Sequence, residues 1–142
     1  MLNNCYQFIR SLRMNKRQIK LSCYLEQLNI EVVKVEMILN QLNRLKNNQE
    51  IANYIIERDL LKTKCQLELS LASLCIILRK MCENQFITLN QERRKDINSI
   101  IHSNRFDFFE DDKVYVFSQK GQEEVNIIQL LDYAKKIFKE II

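Results

Sequence analysis

The sequence predicts a mainly α-helical protein: a long antiparallel helical hairpin, similar to a coiled coil, followed by a small C-terminal α+β cap that contains a β-hairpin. Three observations predict this fold class. Apolar residues recur every three or four positions through most of residues 21–81, which is the period of a helix that packs along one side on another helix. The 142 residues include one Gly and no Pro, so folds with many tight turns are disfavoured. Residues 106–117 are rich in aromatic and β-branched side chains, which favour strands.

The first long helix is predicted from about residue 15 to residue 47. Asn15 and Gln18 form a capping-box pattern at its start. The polar run at residues 46–49 is the expected turn, because Asn tolerates the left-handed backbone that ends helices. The alternative is one uninterrupted helix of about 70 residues, roughly 105 Å long. The apolar repeat in the first helix consists of Leu25, Leu28, Val32, Val35, Leu39 and Leu42.

This apolar stripe becomes wider in the middle of the first helix. Val33, Met37 and Ile38 add apolar side chains beside the repeat. A widened stripe indicates that the helix packs on more than one neighbour.

The second long helix is predicted from about residue 50 to residue 87. Residues 67–78 within it are apolar almost all round, which is typical of a helix that is buried on most sides. Leaving four or five of these side chains exposed would cost on the order of 10 kcal/mol, more than the net stability of many domains. Either the C-terminal part of the chain or a partner protein is therefore expected to cover them.

The C-terminal third predicts short elements. A helix is expected from about residue 91 to residue 102, with Thr88 or Asn90 at its start and Asn104 at its end. The remaining elements are two strands around an acidic turn at residues 110–112, a turn at residues 118–121, a third strand at residues 125–127 and a helix from about residue 126.

The first 25 residues contain no acid and carry a net charge of +5. Three interpretations of this segment stay open. It is a solvated helix face, a phosphate-contacting arm for nucleic acid, or an amphipathic transit peptide. The nucleic-acid interpretation adds a second basic cluster in the short helix, and its candidate residues are Arg10, Arg13, Lys16, Arg17, Lys20, Arg93, Arg94 and Lys95.

No catalytic, cofactor-binding or metal-ligating residue is predicted, and no small-molecule substrate. His102 is the single histidine and has no Cys at zinc-site spacing. Cys75 and Cys82 share a helix face, but two thiols without further ligands are typical of a core. The acids at residues 110–112 lack the alternation and the Gly of a calcium loop.

We therefore expect a non-catalytic adaptor or structural subunit that packs into a hetero-complex or homo-oligomer. The alternative is a DNA-binding accessory subunit of a catalytic complex.

The predicted parts are a basic arm (1–14), the helical hairpin (15–88) and the cap (89–142). The longest charge-free apolar run, residues 69–78, is too short for a membrane span, and an intracellular location is expected: nuclear, cytoplasmic or, as the transit-peptide interpretation has it, mitochondrial. The predicted partner-binding residues are Leu28, Val32, Val35, Leu39, Leu71, Leu74, Ile77, Leu78 and Met81.

Overall fold

The computed structural model describes residues 15–47, 53–108 and 113–141. The basic arm at residues 1–14 and the acidic turn at residues 110–112 lie outside these ranges. The described part is mainly helical, with a small antiparallel sheet near the C-terminal end. Its elements are α1 (Lys16–Asn47), α2 (Asn53–Glu83), α3 (Gln91–Ile101), β1 (Arg105–Phe108), β2 (Lys113–Ser118), β3 (Gly121–Asn126) and α4 (Ile127–Ile141).

The two long helices pack against each other, with the start of α1 beside the end of α2. The Arg17 side chain, at the start of α1, donates a hydrogen bond to the Asn84 carbonyl just after α2, at 3.0 Å. In one continuous helix these residues would be about 100 Å apart, so the uninterrupted helix is excluded. Coiled-coil packing along the pair stays a prediction.

Helix α1 begins as the sequence predicts. The Gln18 backbone N–H donates to Asn15 Oδ1 at 2.8 Å, and the Asn15 N–H donates to Gln18 Oε1 at 3.1 Å. These reciprocal bonds complete a capping box, which satisfies N–H groups that have no partner within the helix.

Helix α2 ends at Glu83, four residues before the predicted end. Gln85 has a φ of 63°, and the Phe86 N–H donates to the Met81 carbonyl at 2.9 Å. The Gln85 N–H donates to the Cys82 carbonyl at 3.0 Å. This is the Schellman arrangement, which needs a left-handed residue and usually has Gly there. The sequence does not predict this helix end, because a Gln residue does not indicate a left-handed backbone conformation.

Helix α3 and the first two strands follow the prediction closely. Asn90 caps α3, accepting a hydrogen bond from the Arg93 N–H at 2.8 Å. The helix ends at Ile101, and Asn104 instead donates its N–H to the Phe117 carbonyl at 2.7 Å, so it belongs to the start of the sheet and not to the helix end. Strands β1, β2 and β3 lie in this order and are antiparallel.

Strand β3 begins at Gly121, four residues earlier than predicted. The sequence conceals it because Gln122, Glu123 and Glu124 are polar, and only Val125 is buried. Gly121 has a φ of 118°, a conformation that side chains with a Cβ rarely adopt.

The C-terminal elements cover the apolar half of α2. Helix α3 packs on α2, and α4 packs on α1. One hydrophobic core joins both long helices, α3, the sheet and α4. Within residues 67–78 the fold buries Leu67, Leu71, Leu74 and Leu78, whereas Leu69 and Ile76 remain exposed. Within the described ranges, none of the helices combines the length and apolar character needed to cross a bilayer.

We predict that Gln85→Gly raises the free energy of unfolding by about 1 kcal/mol, because Gly adopts the left-handed backbone without strain. Gln66→Gly is the matched control at an exposed position inside α2, and it should lower stability by about 1 kcal/mol. Urea unfolding followed by circular dichroism measures both. A Gln85→Gly variant that is destabilised like the control would contradict the assigned helix end.

Candidate interaction surfaces

The predicted partner-binding residues lie in the core of the described structure. Leu28, Val35, Leu71 and Leu74 are 0% exposed, and Leu39 alone among the nine is only partly buried. A partner could reach the eight buried side chains only by displacing the parts of the chain that cover them. The eight buried residues are therefore not an accessible surface of the described structure, because the heptad-like repeat marks the side of each helix that the chain itself covers. A role for them in partner binding stays a prediction. The remaining buried members are Val32, Ile77, Leu78 and Met81.

The exposed apolar side chains lie on other sides of the same helices. On α1 they are Ile30, Val33 and Met37, exposed by 42%, 46% and 64%. Their spacing of three and four residues aligns them on one face. We call this set the α1 stripe.

A second set on α2, the α2 stripe, has the same character. Leu61, Leu69 and Ile76 are exposed by 66%, 72% and 42%. Cys65 is also exposed, and the partly buried Ala72 completes a line with steps of four, four, three and four residues. Leu69 lies two positions from both buried Leu67 and buried Leu71, about 200° around the helix, so the stripe is turned away from the core.

The sequence contains a signal for the α1 stripe. Val33 and Met37 widen the apolar face, which predicts a second neighbour for this helix. In the structure Ile38 is partly buried in the core cluster, whereas Val33 and Met37 stay exposed. Leu61 and Leu69 had no comparable signal, because they lie among residues expected to be polar or buried all round.

Two of the basic residues predicted for nucleic acid hold the end of α2. Arg17 donates to the carbonyls of Asn84 and Gln85 at 3.0 and 3.1 Å, and its guanidinium lies 4.4 Å from the centre of the Phe86 ring. Lys20 Nζ donates to Asn84 Oδ1 at 2.7 Å. These contacts satisfy backbone carbonyls that follow a helix end and stack a cation on an aromatic face.

The second basic cluster is divided by burial. Arg93 is 8% exposed and lies 3.1 Å from Asp96 and 3.2 Å from Gln129 of α4. Arg94 and Lys95 are exposed. Arg93 therefore joins α3 to α4 and is not available to phosphate, while its two neighbours, with Lys16 on α1, remain accessible. Arg10 and Arg13 lie outside the described residues.

Burial changes the pKa values of two groups near Arg93, Asp96 and Cys75. Removal from water raises the pKa of Asp96, and the attraction of Arg93 only partly opposes this. The cost of desolvating a charge can exceed the gain from its partner. Burial likewise raises the pKa of the Cys75 thiol, with Asp96 adding to the effect, so Cys75 has the character of an unreactive core residue.

A polar cleft of about 600 Å³ lies where α3 meets the turn between β2 and β3. Ser99 hydrogen-bonds to Glu123 inside it. Its other lining residues include Lys95, His102 and Lys120. Within residues 15–47, 53–108 and 113–141, no three His, Cys, Asp or Glu side chains come close enough to hold a metal ion.

Comparison of the chain with protein-family models, with curated proteins and with solved structures yields no match. The features of the described residues that bear on function are therefore the two exposed stripes and the accessible basic residues.

We predict that Arg17→Ala lowers the free energy of unfolding by about 1–2 kcal/mol, because it removes two hydrogen bonds to carbonyls and a cation–π contact. Lys16→Ala is the control: Lys16 is an exposed neighbour, and its loss should change stability by less than about 0.5 kcal/mol. Thermal unfolding at matched ionic strength distinguishes them. Equal effects of the two substitutions would show that Arg17 does not hold the helix end.

We also predict a pH signature of Asp96. An acid whose pKa is raised in the folded state takes up protons on folding, so its contribution to stability falls as pH rises above the ordinary carboxyl pKa of 3.8. Asp96→Asn lacks this titration. The free energy of unfolding of the native chain minus that of Asp96→Asn should therefore decrease as pH rises above about 3.8.

Asp132→Asn is the control for the loss of one carboxylate, because Asp132 is an exposed residue of α4. Chemical unfolding at several pH values gives the required differences. A difference between the native chain and Asp96→Asn that grows as pH rises would mean that ion pairing with Arg93 outweighs burial.

Proposed function

We propose that the protein is a non-catalytic helical subunit that packs into a larger protein assembly, and that its two long helices form an antiparallel coiled coil. The observation that carries this proposal is the pair of exposed apolar stripes on α1 and α2. They replace the buried residues that the sequence predicts for this role. Partner recognition by a row of apolar side chains at helical spacing is a common mode of helix binding.

Alignment distinguishes these side chains from ordinary surface residues. Scattered exposed Leu or Ile residues are normal on soluble proteins. Here the α1 stripe and the α2 stripe each follow one helical face. A continuous apolar patch of this kind is typical of a protein-binding surface.

The size of the stripes sets a requirement on the partner. Full burial of a large aliphatic side chain contributes roughly 1.5–3 kcal/mol. Three half-exposed side chains per stripe therefore contribute only about 2–4 kcal/mol, which does not offset the roughly 4–15 kcal/mol lost on association. A stable complex must then use both stripes or add contacts from the polar residues that flank them.

The nucleic-acid alternative has weaker support. Arg17 and Lys20 bind the end of α2, and Arg93 is ion-paired inside the fold. Lys16, Arg94 and Lys95 are the accessible candidates among the described residues. Three cations give only a weak dependence of binding on salt. Each neutralised phosphate contributes about 0.9 to the slope of the logarithm of the binding constant against the logarithm of the salt concentration.

The proposal is tested by purifying tagged full-length variants from the native cells and quantifying the associated proteins by mass spectrometry. The variant Val33→Lys with Met37→Lys places charge on the α1 stripe, and Leu61→Lys with Leu69→Lys does so on the α2 stripe. We expect the native chain to retain a protein in near-equal amount and at least one variant to lose it by tenfold or more. Circular dichroism verifies that each variant is folded.

The matched control is Gln27→Lys with Gln41→Lys, which adds the same charge at exposed polar positions of α1 and should retain the associated protein. The proposal fails if both stripe variants retain every protein that the control retains. It also fails if the purified native chain is a soluble monomer that holds nothing in comparable amount.

A further inference from the structure

We infer that the α2 stripe binds the α2 stripe of a second copy of this chain, with the two helices antiparallel about a two-fold axis near Cys65. This inference rests on the proposed function and names the occupant of one of its two surfaces. Three properties of the stripe support it: its symmetry, its charge pattern and its small central residue.

The most exposed members of the α2 stripe are placed symmetrically about Cys65. Leu61 lies four residues before it and Leu69 four residues after it, at 66% and 72% exposure. In an antiparallel pair centred on Cys65, Leu61 of each copy lies beside Leu69 of the other, and the two Cys65 residues face each other. A two-fold interface requires such a self-complementary surface.

The charges beside the stripe favour the antiparallel direction. Lys62 lies three residues before Cys65, and Glu68 lies three residues after it. In the antiparallel arrangement Lys62 of each copy lies across from Glu68 of the other copy. Within its own chain, Glu68 Oε1 also accepts a hydrogen bond from the Phe106 N–H at 3.3 Å. In a parallel arrangement each of these charges would instead face its own kind, which is destabilising.

The geometry at the axis brings the cysteines within reach of each other. Packed helices have axes about 8–10 Å apart, and Cα atoms lie about 2.3 Å from each axis. Facing Cα atoms at the crossing are therefore separated by roughly 4–5 Å, within or near the range of a disulfide. Side chains spaced by four residues form the ridge that packs at a crossing angle of about 50°. Such a crossing buries less than the roughly 1,200 Å² of standard interfaces, so the dimer is expected to be weak and reversible.

The first test is oxidative cross-linking of the full-length chain with diamide, which accepts two electrons and two protons as two thiols become a disulfide. Non-reducing electrophoresis should show a dimer that dithiothreitol reverses. Cys65→Ser should abolish this dimer, whereas Cys23→Ser, at the other described cysteine that is exposed, should leave it unchanged.

Random collision is excluded by variants that keep Cys65. Leu69→Lys should slow the cross-linking at least tenfold, while Met37→Lys on the α1 stripe should leave the rate unchanged. Lys62→Glu and Glu68→Lys should each weaken dimerisation in sedimentation experiments without oxidant. The double variant should restore it, because the charges are exchanged across the same interface.

Cross-linking through Cys65 no faster than through Cys23, or dimerisation unaffected by Leu69→Lys, would overturn the inference. The outcomes distinguish failure of this inference from failure of the proposed function. If the chain is a monomer and the α1-stripe variant still loses its associated protein, the proposed function stands and the second-copy inference fails. If the dimer forms as described but neither stripe variant loses another protein, the inference stands and membership of a larger hetero-complex fails.

Discussion

The fold depends on the need to bury the apolar second half of α2. Leu71, Leu74, Leu78 and Met81 are all fully buried, and one neighbouring helix can cover only one side of α2. The chain meets this constraint by folding α3 back on α2 and α4 back on α1. The sheet joins the same core through Phe106 and the valines of β2. The long helices and the C-terminal elements are therefore stabilised by one another.

Several charged residues form contacts between elements of the fold. Arg17 ties the start of α1 to the carbonyls that follow α2, and Arg93 ties α3 to α4. Lys135 of α4 pairs with Glu36 of α1. A basic residue in a sequence is often assigned to phosphate, yet these three cations occupy the contacts between elements. Of the basic residues predicted for nucleic acid, Lys16, Arg94 and Lys95 remain exposed.

The sequence predicted the elements better than the surfaces. Capping at Asn15 and Asn90, the turn at Gly121 and the repeat in α1 are local signals, so the helices and strands were placed within a few residues. The end of α2 was missed because Gln85 adopts a backbone conformation that its side chain does not indicate. Exposure of Leu69 could not be predicted, because it depends on which side of α2 receives α3, a long-range property that periodicity does not specify.

The dependence of α2 on later elements has a consequence for synthesis. A ribosome completes both long helices before it begins α3, and the residues from the start of α3 to the end of α4 take roughly 3–10 seconds to add. During this interval Leu71 and Leu78 have no covering layer, although the side chains are already made. The nascent chain is therefore most vulnerable to aggregation at this stage, and a chaperone that binds apolar helices would find its site there and lose it once α4 emerges.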